Sequence, residues 1–336
     1  MLSRASPRTV TAATANAGWM RGRSLLSCGP LDRDTTDAVS CGYGHTDAAS
    51  TVAAAPRSRR APTFQVHAVA VRDMAVSDSD FELVRIERTD HRADVVIDRP
   101  QKRNAMNPQV IAELTEAFER VSGTDGVRAV TLLGAGDVFC AGMDLEMMRE
   151  RVEADSDAEH AFPDLLSAVE DCAQPVVAGI KRAGPAGAFE LTLPCDLRVL
   201  GEAAKYGVIE VKLGTFPHGG ATQRLPRLVG LSKAKEIVLT GEFIDPAEAH
   251  DIGLVHEVCP DGEVDARARA LADDLCENAP LGLRNAKRAL DAALETPLDE
   301  GLAMERSLGR ELDDTADYRE GFDARLEGRE PEFRGE

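Results

Sequence analysis

The chain has 336 residues, 43% of them hydrophobic, and a formal net charge of −19 at pH 7. This length suffices for one large domain or two, and the composition is ordinary for a globular protein and argues against wholesale disorder. No apolar run reaches the roughly 18 residues that a membrane-spanning helix needs. The negative charge argues against nucleic acid as the main partner, since phosphates would be repelled.

The charge is unevenly distributed. Residues 1–73 contain nine Arg, no Lys and five Asp and sum to +4, whereas residues 74–336 contain 30 basic and 53 acidic residues and sum to −23. The first segment lacks helical or strand periodicity, which predicts disorder. It is either a transit peptide or a stretch before a native start at Met74. Its five Asp and its length favour the second hypothesis.

The acidic body predicts a cytoplasm rich in salt. Carboxylates in excess destabilise a compact fold by self-repulsion in dilute buffer, and salt screens that repulsion. The alternative is simply a soluble acidic protein. Seven dispersed Cys without metal-ligand spacing indicate reduced thiols in a cytosol and predict neither a disulfide framework nor a metal site.

Strand and helix patterns alternate from residue 82 onward, which predicts an α/β fold. The first two strands, 82–88 and 93–99, are expected to pair across a short turn. Asn107 and Pro108 are typical of a helix start. The later predicted elements are strands at 129–134, 175–180 and 195–201, and helices beginning near 232 and 245 and covering 263–278 and 281–295, before a charged tail.

Small residues stand at two junctions between a strand and a helix. One junction is "FCAGMDL" (139–145) and the other is "GPAGAFEL" (184–191). The first amides of a helix have no internal partner, so both junctions offer open backbone N–H groups, at Met143 and at Gly187. Two such groups converging on one oxygen would form an oxyanion hole suited to a thioester enolate. The alternative at each junction is a plain turn.

Two carboxylates lie in apolar surroundings. Glu190 follows Gly187 by three residues in "AFELTL", and Glu210 lies in "YGVIEVKLGTFP". One interpretation is structural: each carboxylate forms a salt bridge or faces water at a strand edge. The other is functional: the two flank one substrate, and burial raises the pKa of at least one of them, so that it exchanges protons near neutral pH.

Six segments together resemble the enoyl-CoA hydratase/isomerase, or crotonase, superfamily across residues 80–335. They are "RPQKRNAMN" (99–107), "FCAGMDL" (139–145), "GAFELTLPCDLRVL" (187–200), "YGVIEVKLGTFPHGGATQRLPRLVG" (206–230), "LTGEFIDPAEAHDIGLVHEV" (239–258) and "EGREPEFRG" (327–335). The resemblance implies a spiral of ββα repeats over residues 80–265 and a C-terminal helical region with a tail over 266–336.

The resemblance also implies roles for particular residues. Met143 and Gly187 would supply the oxyanion-hole amides, and Glu190 and Glu210 would hold the water, with Glu190 as base and Glu210 as acid. The expected substrate is an acyl-CoA thioester, with no metal or other cofactor. The residues matched to CoA binding are Lys102, Arg103, Ala141 and, more weakly, Arg329.

The expected activity is addition of water to a 2-enoyl-CoA, as in fatty acid β-oxidation. The alternatives are isomerisation of a 3-enoyl-CoA to a 2-enoyl-CoA and a non-catalytic relative that binds acyl-CoA. The loop 181–188 departs from the glycine-rich family pattern, because Pro185 fixes its φ and donates no N–H. The acyl pocket is therefore expected to differ from that of typical relatives.

Assembly as a homotrimer or hexamer is also implied by the resemblance. An apolar stripe at helical spacing, consisting of Val264, Ala268, Leu271 and Leu275, needs burial and is expected to contribute to the subunit contacts.

Overall fold

The computed structural model describes residues 81–122, 124–153 and 161–336. The predicted break at Met74 lies outside these residues. The strands are β1 (Val84–Thr89), β2 (Arg92–Ile97), β3 (Ala129–Gly134), β4 (Val176–Ile180), β5 (Ala183–Pro185), β6 (Leu197–Gly201), β7 (Lys205–Gly207) and β8 (Glu257–Cys259). Short 3-10 helices lie at Pro100–Lys102, Glu210–Leu213 and Ala292–Leu294.

The α-helices between the strands are α1 (Pro108–Ser122), α2 (Leu145–Glu153), α3 (Phe162–Glu170), α4 (Gly187–Thr192), α5 (Ala221–Val229), α6 (Leu231–Thr240) and α7 (Pro246–Asp251). Those after β8 are α8 (Val264–Cys276), α9 (Pro280–Asp291), α10 (Leu298–Leu312) and α11 (Ala316–Glu327). Among the described residues, none of these helices is both long and apolar enough to cross a membrane.

Two sheets organise the chain. The large sheet has the order β1-β2-β3-β4-β6-β8, in which β1 is antiparallel to β2 and every other neighbouring pair is parallel. The small sheet pairs β5 with β7 in parallel. The strands β4 and β6 of the large sheet are each followed directly by a short strand of the small sheet and then by a helical turn. This repeated ββα unit agrees with the predicted spiral.

Helices cover both faces of the large sheet, as a mostly parallel sheet requires. One face contributes Val96, Leu133 and Val177 to a cluster with the α8 residues Val264 and Ala268. The other face packs on α1, α3 and α4 in a larger cluster. Neighbouring residues of one strand point to opposite faces, which places Val95 in the larger cluster and Val96 under α8.

The stripe assigned to subunit contacts is covered within the chain. Val264 and Ala268 are fully buried against the large sheet, and Leu271 and Leu275 pack on the same cluster. The stripe therefore gives no support to a subunit interface, and that use of it was wrong. Trimeric assembly stays a prediction.

The expected charged tail after residue 295 is instead largely helical, as α10 and α11. In α10 the only buried residue is Leu308, and in α11 the buried residues are Asp317 and Ala324. Most residues of both helices are therefore exposed in this chain. Capping holds the start of α11, where the Thr315 hydroxyl accepts from the Tyr318 amide at 3.1 Å.

Candidate active site

The first predicted junction is fixed by a network below the loop that carries Met143. The Asn104 side-chain amide donates to the carbonyls of Ala135, Val138 and Phe139 at 2.8, 2.8 and 3.1 Å. Arg99 donates to Asp144 at 2.7 Å, and this hydrogen bond lowers the pKa of the Asp144 carboxyl. The residues on both sides of Cys140 are thus held by polar contacts that sequence inspection had not identified.

The amide of Met143 points away from this network. Met106 donates to the Gly142 carbonyl at 2.9 Å and accepts from the Asp144 amide at 2.8 Å. Because alternate amides of an extended chain point to opposite sides, the Met143 N–H faces away from Met106. No described residue accepts a hydrogen bond from it.

The second junction lies directly against the first. A Cβ atom added to Gly142 would lie 3.0 Å from the Pro185 carbonyl oxygen and 4.0 Å from the Gly187 nitrogen. Gly142 also has a φ of +94°, which favours glycine. A Cβ atom on Gly187 would lie 3.1 Å from Cγ of Met143. The structure therefore brings together the two amides that the sequence singled out.

The small sheet brings Gly187 and Glu210 to the same side. Gly187 follows the end of β5 by two residues, and Glu210 follows the end of β7 by three. Pro185 pairs with Gly207, so the carboxyl ends of these two parallel strands lie at one edge of the sheet. Glu190 extends from α4, one turn beyond Gly187. Two oxyanion candidates and two carboxylates thus belong to one region.

Glu190 is buried, with 3% of its surface exposed, and its Oε1 accepts from the Ala221 amide at 3.1 Å. Burial raises the pKa of Glu190 to about 7, against the opposing effect of the Ala221 hydrogen bond and with a further contribution from the charge of Glu210. A Cβ atom on Gly219 would lie 2.8 Å from Oε2 of Glu190, so only glycine fits there. Glu190 can therefore both accept and donate a proton near neutral pH.

Glu210 is buried without a partner. Neither of its carboxylate oxygens has a hydrogen bond to a described residue. Burial raises its pKa as well, although the nearby amides of Glu210 itself and Ile209 oppose the shift. A buried carboxylate with no partner is costly for stability, and such groups in native structures call for an explanation. Both candidate carboxylates thus have the environment expected of acid–base groups and not that of salt bridges.

The residues matched to CoA binding fall in two places. The Ala141 amide donates to the Arg103 carbonyl at 3.0 Å, which places Arg103 beside the Met143 loop. Lys102 precedes Arg103 and forms an exposed ion pair with Glu146 at 2.9 Å. These three residues lie near the carboxyl ends of β2 and β3.

Arg329 lies elsewhere within this chain. Its guanidinium contacts Glu320 and Glu327, at 2.5 and 2.7 Å. The tail beyond it is held by Arg128, which precedes β3 and donates to the Phe333 carbonyl at 2.6 Å. This is the amino end of β3, opposite Lys102. The assignment of Arg329 to CoA stays a prediction that contacts within this chain do not support.

Comparison with known proteins shows the family of the chain. The sequence model of the family described as enoyl-CoA hydratase/isomerase matches residues 88–336. A 2,3-dehydroadipyl-CoA hydratase of Escherichia coli is 35% identical over 241 residues, covering 72% of this chain and 94% of that protein. An enoyl-CoA hydratase of Mycobacterium tuberculosis is 32% identical over 252 residues, covering 74% and 95%.

Solved structures give the same result for the fold. The crystal structure of an enoyl-CoA hydratase from Bacillus anthracis superposes with a TM-score of 0.71 at 32% identity, covering 76% of this chain and 100% of that one. The predicted spiral of ββα repeats with a helical C-terminal region is therefore confirmed.

Proposed function

Because the chain belongs to the enoyl-CoA hydratase/isomerase family, we propose that it adds water to the double bond of a 2-enoyl-CoA thioester. The observation that carries this proposal is the pair Glu190 and Glu210. Both are buried, both have a raised pKa, and Glu210 has no hydrogen-bond partner among the described residues. The names of the relatives, which are hydratases of CoA thioesters, support the same substrate class.

The proposed oxyanion hole acts on the thioester carbonyl. Its oxygen accepts from the Met143 and Gly187 amides as negative charge develops during attack on the double bond. Amides held in place before the reaction stabilise that charge without reorganisation, and losing one such donor typically costs about 10²–10³-fold in rate. The polar contacts of Asn104 and Asp144 keep the first of these amides in position.

The proposed acid–base step uses one water and two carboxyl groups. Ionised Glu190 takes a proton from the water as its oxygen bonds to the β-carbon, and protonated Glu210 gives its proton to the α-carbon. After this step Glu190 is protonated and Glu210 is ionised, so transfer of one proton from Glu190 to Glu210 restores the starting state. The net reaction is addition of one water molecule.

The CoA portion of the substrate is proposed to contact Lys102, Arg103 and Ala141, beside the Met143 loop. In this proposal CoA enters as part of the substrate, and the reaction uses no further cofactor. The second proposed contact comes from Arg329. It requires either that Arg329 of a second copy of the chain reach the nucleotide, or that Arg329 break its ion pair with Glu320.

The test compares Glu190→Gln, Glu210→Gln and the double variant on crotonyl-CoA and longer 2-enoyl-CoAs. General acid–base groups contribute about 10²–10⁴-fold each, so each single variant is expected to lose at least roughly 10²-fold in kcat. Both groups act on one water, so the double variant should be hardly slower than the slower single one. Calorimetric binding of a saturated acyl-CoA should be retained, because it depends on the amides.

Glu257→Gln is the matched control, since Glu257 is a surface carboxylate paired with Arg267. A wild type that shifts a 3-enoyl double bond but never hydrates a 2-enoyl-CoA would establish the isomerase alternative. A wild type that binds acyl-CoA and converts neither substrate would establish the non-catalytic alternative.

A further inference from the structure

The segment from Gly219 to Arg224 contacts the candidate base and the helix α3 at the same time. Ala221 donates its amide to Glu190, and Gly219 leaves no room for a side chain beside that carboxylate. A Cβ atom on Gly219 would also lie 2.6 Å from Cε1 of Phe162, the first residue of α3. The segment is therefore enclosed between Glu190 and α3.

Arg224 connects the two ends of this arrangement. Its Nη1 donates to the Gly219 carbonyl at 3.2 Å, and its Nε and Nη2 donate to the two carboxylate oxygens of Glu170 at 3.2 and 2.5 Å. Glu170 is the last residue of α3, where a negative charge is unfavourable for the helix dipole and gains from a cation. The fork of the guanidinium thus ties the turn at Gly219 to α3.

The same cation lies close enough to Glu190 to act on its ionisation. The charges that act on Glu190 are Glu210, which raises its pKa, and Arg224, which lowers it. Glu170 forms an ion pair with Arg224 and offsets part of its positive charge. Removing Arg224 and removing Glu170 should therefore move the ionisation of Glu190 in opposite directions.

We propose that Arg224 is a positioning residue that holds the Gly219–Ala221 turn against Glu190, and that Glu170 balances its charge there. This inference rests on the proposed role of Glu190 as the base. It gives a role to part of the "ATQRLPR" motif, which the sequence analysis singled out only as a family feature. An exposed ion pair of no consequence is the competing explanation, because such pairs commonly contribute little.

The decisive measurement is the ionisation of Glu190 in the free enzyme, followed by infrared difference spectroscopy and assigned with Glu190→Gln. Wild type should show a midpoint near 7. Arg224→Gln should move the midpoint to higher pH, and Glu170→Gln should move it to lower pH. Arg267→Gln, which removes an equally forked ion pair with Glu257, should leave it unchanged.

Activity separates charge from geometry. The acid limb of the pH profile of kcat/KM should move in the same directions as the midpoints. Arg224→Lys keeps the charge but loses the fork, so its midpoint should stay near that of wild type while kcat falls. KM for the 2-enoyl-CoA should change much less than kcat, since Arg224 contacts the turn and not the thioester.

Glu170→Gln protects the test against misfolding, because Glu170 is a half-exposed surface residue and the Arg224 contact with Gly219 remains. Midpoints that stay fixed in both variants, or move in the same direction, would overturn the proposal. If the wild type lacks hydratase activity but the Glu190 midpoint still moves as expected in the two variants, the proposed function is overturned and the role of Arg224 stands.

Discussion

Buried carboxylates occur in two regions of the molecule that differ in how many hydrogen-bond and ion-pair partners the carboxylates have. Under α8, Asp94 accepts from Arg92 and Arg269 at 2.7 Å each and from the Thr131 hydroxyl at 2.8 Å. In the candidate site, Glu190 has a single hydrogen bond and Glu210 has none within the described residues. Burial is similar, at 3%, 3% and 8% exposure, so pairing is what distinguishes the regions. Buried charge with partners fastens α8 to the sheet, whereas buried charge without them is available to a substrate.

The largest expected effect is on stability at Asp94. Asp94→Ala removes one partner of a buried ion pair and leaves Arg92 with only Asp273. We expect a loss of about 3–5 kcal/mol in the free energy of unfolding, measured by urea denaturation, with kcat of any remaining folded enzyme near that of wild type. Glu257→Gln, at an exposed pair, should cost less than about 1 kcal/mol. Equal costs for the two variants would contradict the distinction between the regions.

At Glu190, removal of the carboxylate is expected to stabilise the folded protein. Its pKa rises from an ordinary value of 4.5 to about 7 in the folded state, so the folded protein binds more protons than the unfolded one between these values. Stability is therefore lost as pH rises through this window. Glu190→Gln should match wild type near pH 4.5 and be more stable at pH 8 by about 1–3 kcal/mol. A variant that is less stable than wild type at pH 8 in thermal unfolding would refute the conclusion that burial of the ionised Glu190 carboxylate is unfavourable.

A smaller effect concerns backbone strain beside the oxyanion candidates. Ala186 has φ 51° and ψ −125°, a region that glycine adopts readily and other residues do not. Ala186→Gly should relieve strain in the folded state and lose part of the gain to the greater freedom of the unfolded chain, for a net stabilisation of about 1 kcal/mol. Calorimetry should show the opposite sign for Ala188→Gly within α4, where glycine is unfavourable.

The smallest effect expected per charge is that of the acidic surface. The sum of −23 over residues 74–336 comes from many separate groups, and added salt screens the repulsion among them. The melting temperature should rise between about 0.1 M and 1 M salt. The cost of Asp94→Ala should stay the same over this range, because buried pairs are screened little. A salt-independent melting temperature would contradict the proposed adaptation to high salt.

Local patterns were enough to predict much of the fold. The hairpin of β1 and β2, the strands β3, β4 and β6 and the Asn107 cap of α1 are confirmed, the last by a hydrogen bond of 2.9 Å from the Val110 amide. Alternation and capping depend on neighbouring residues, so they can be recognised in the sequence without knowledge of tertiary contacts. The helices α10 and α11 were missed because the many charged residues after residue 295 were interpreted as a tail.

The site itself depends on contacts that no local pattern contains. Met143 and Gly187 are 44 positions apart, and their approach depends on the small sheet and on Gly142. From the residues alone a plain turn was the commoner explanation of each junction, and only the family resemblance paired them. Asn104 and Ala221 act through a side-chain amide and a backbone N–H, for which the sequence offered no distinguishing signal apart from their place in the family motifs.

The pairing of β5 with β7 has a consequence for how the chain tolerates insertions. Gly187 and Glu210 each follow a strand of this sheet within three residues, and the Ala186 amide donates to the Gly207 carbonyl at 2.9 Å. One residue added between Gly207 and Glu210 would lengthen the turn that joins β7 to the 3-10 helix beginning at Glu210, and so would move the Glu210 carboxylate relative to Gly187. One residue added among 202–204, before β7, leaves unchanged the spacing from β5 to Gly187 and the spacing from β7 to Glu210. Length variation should therefore be accepted on one side of this short strand and rejected on the other.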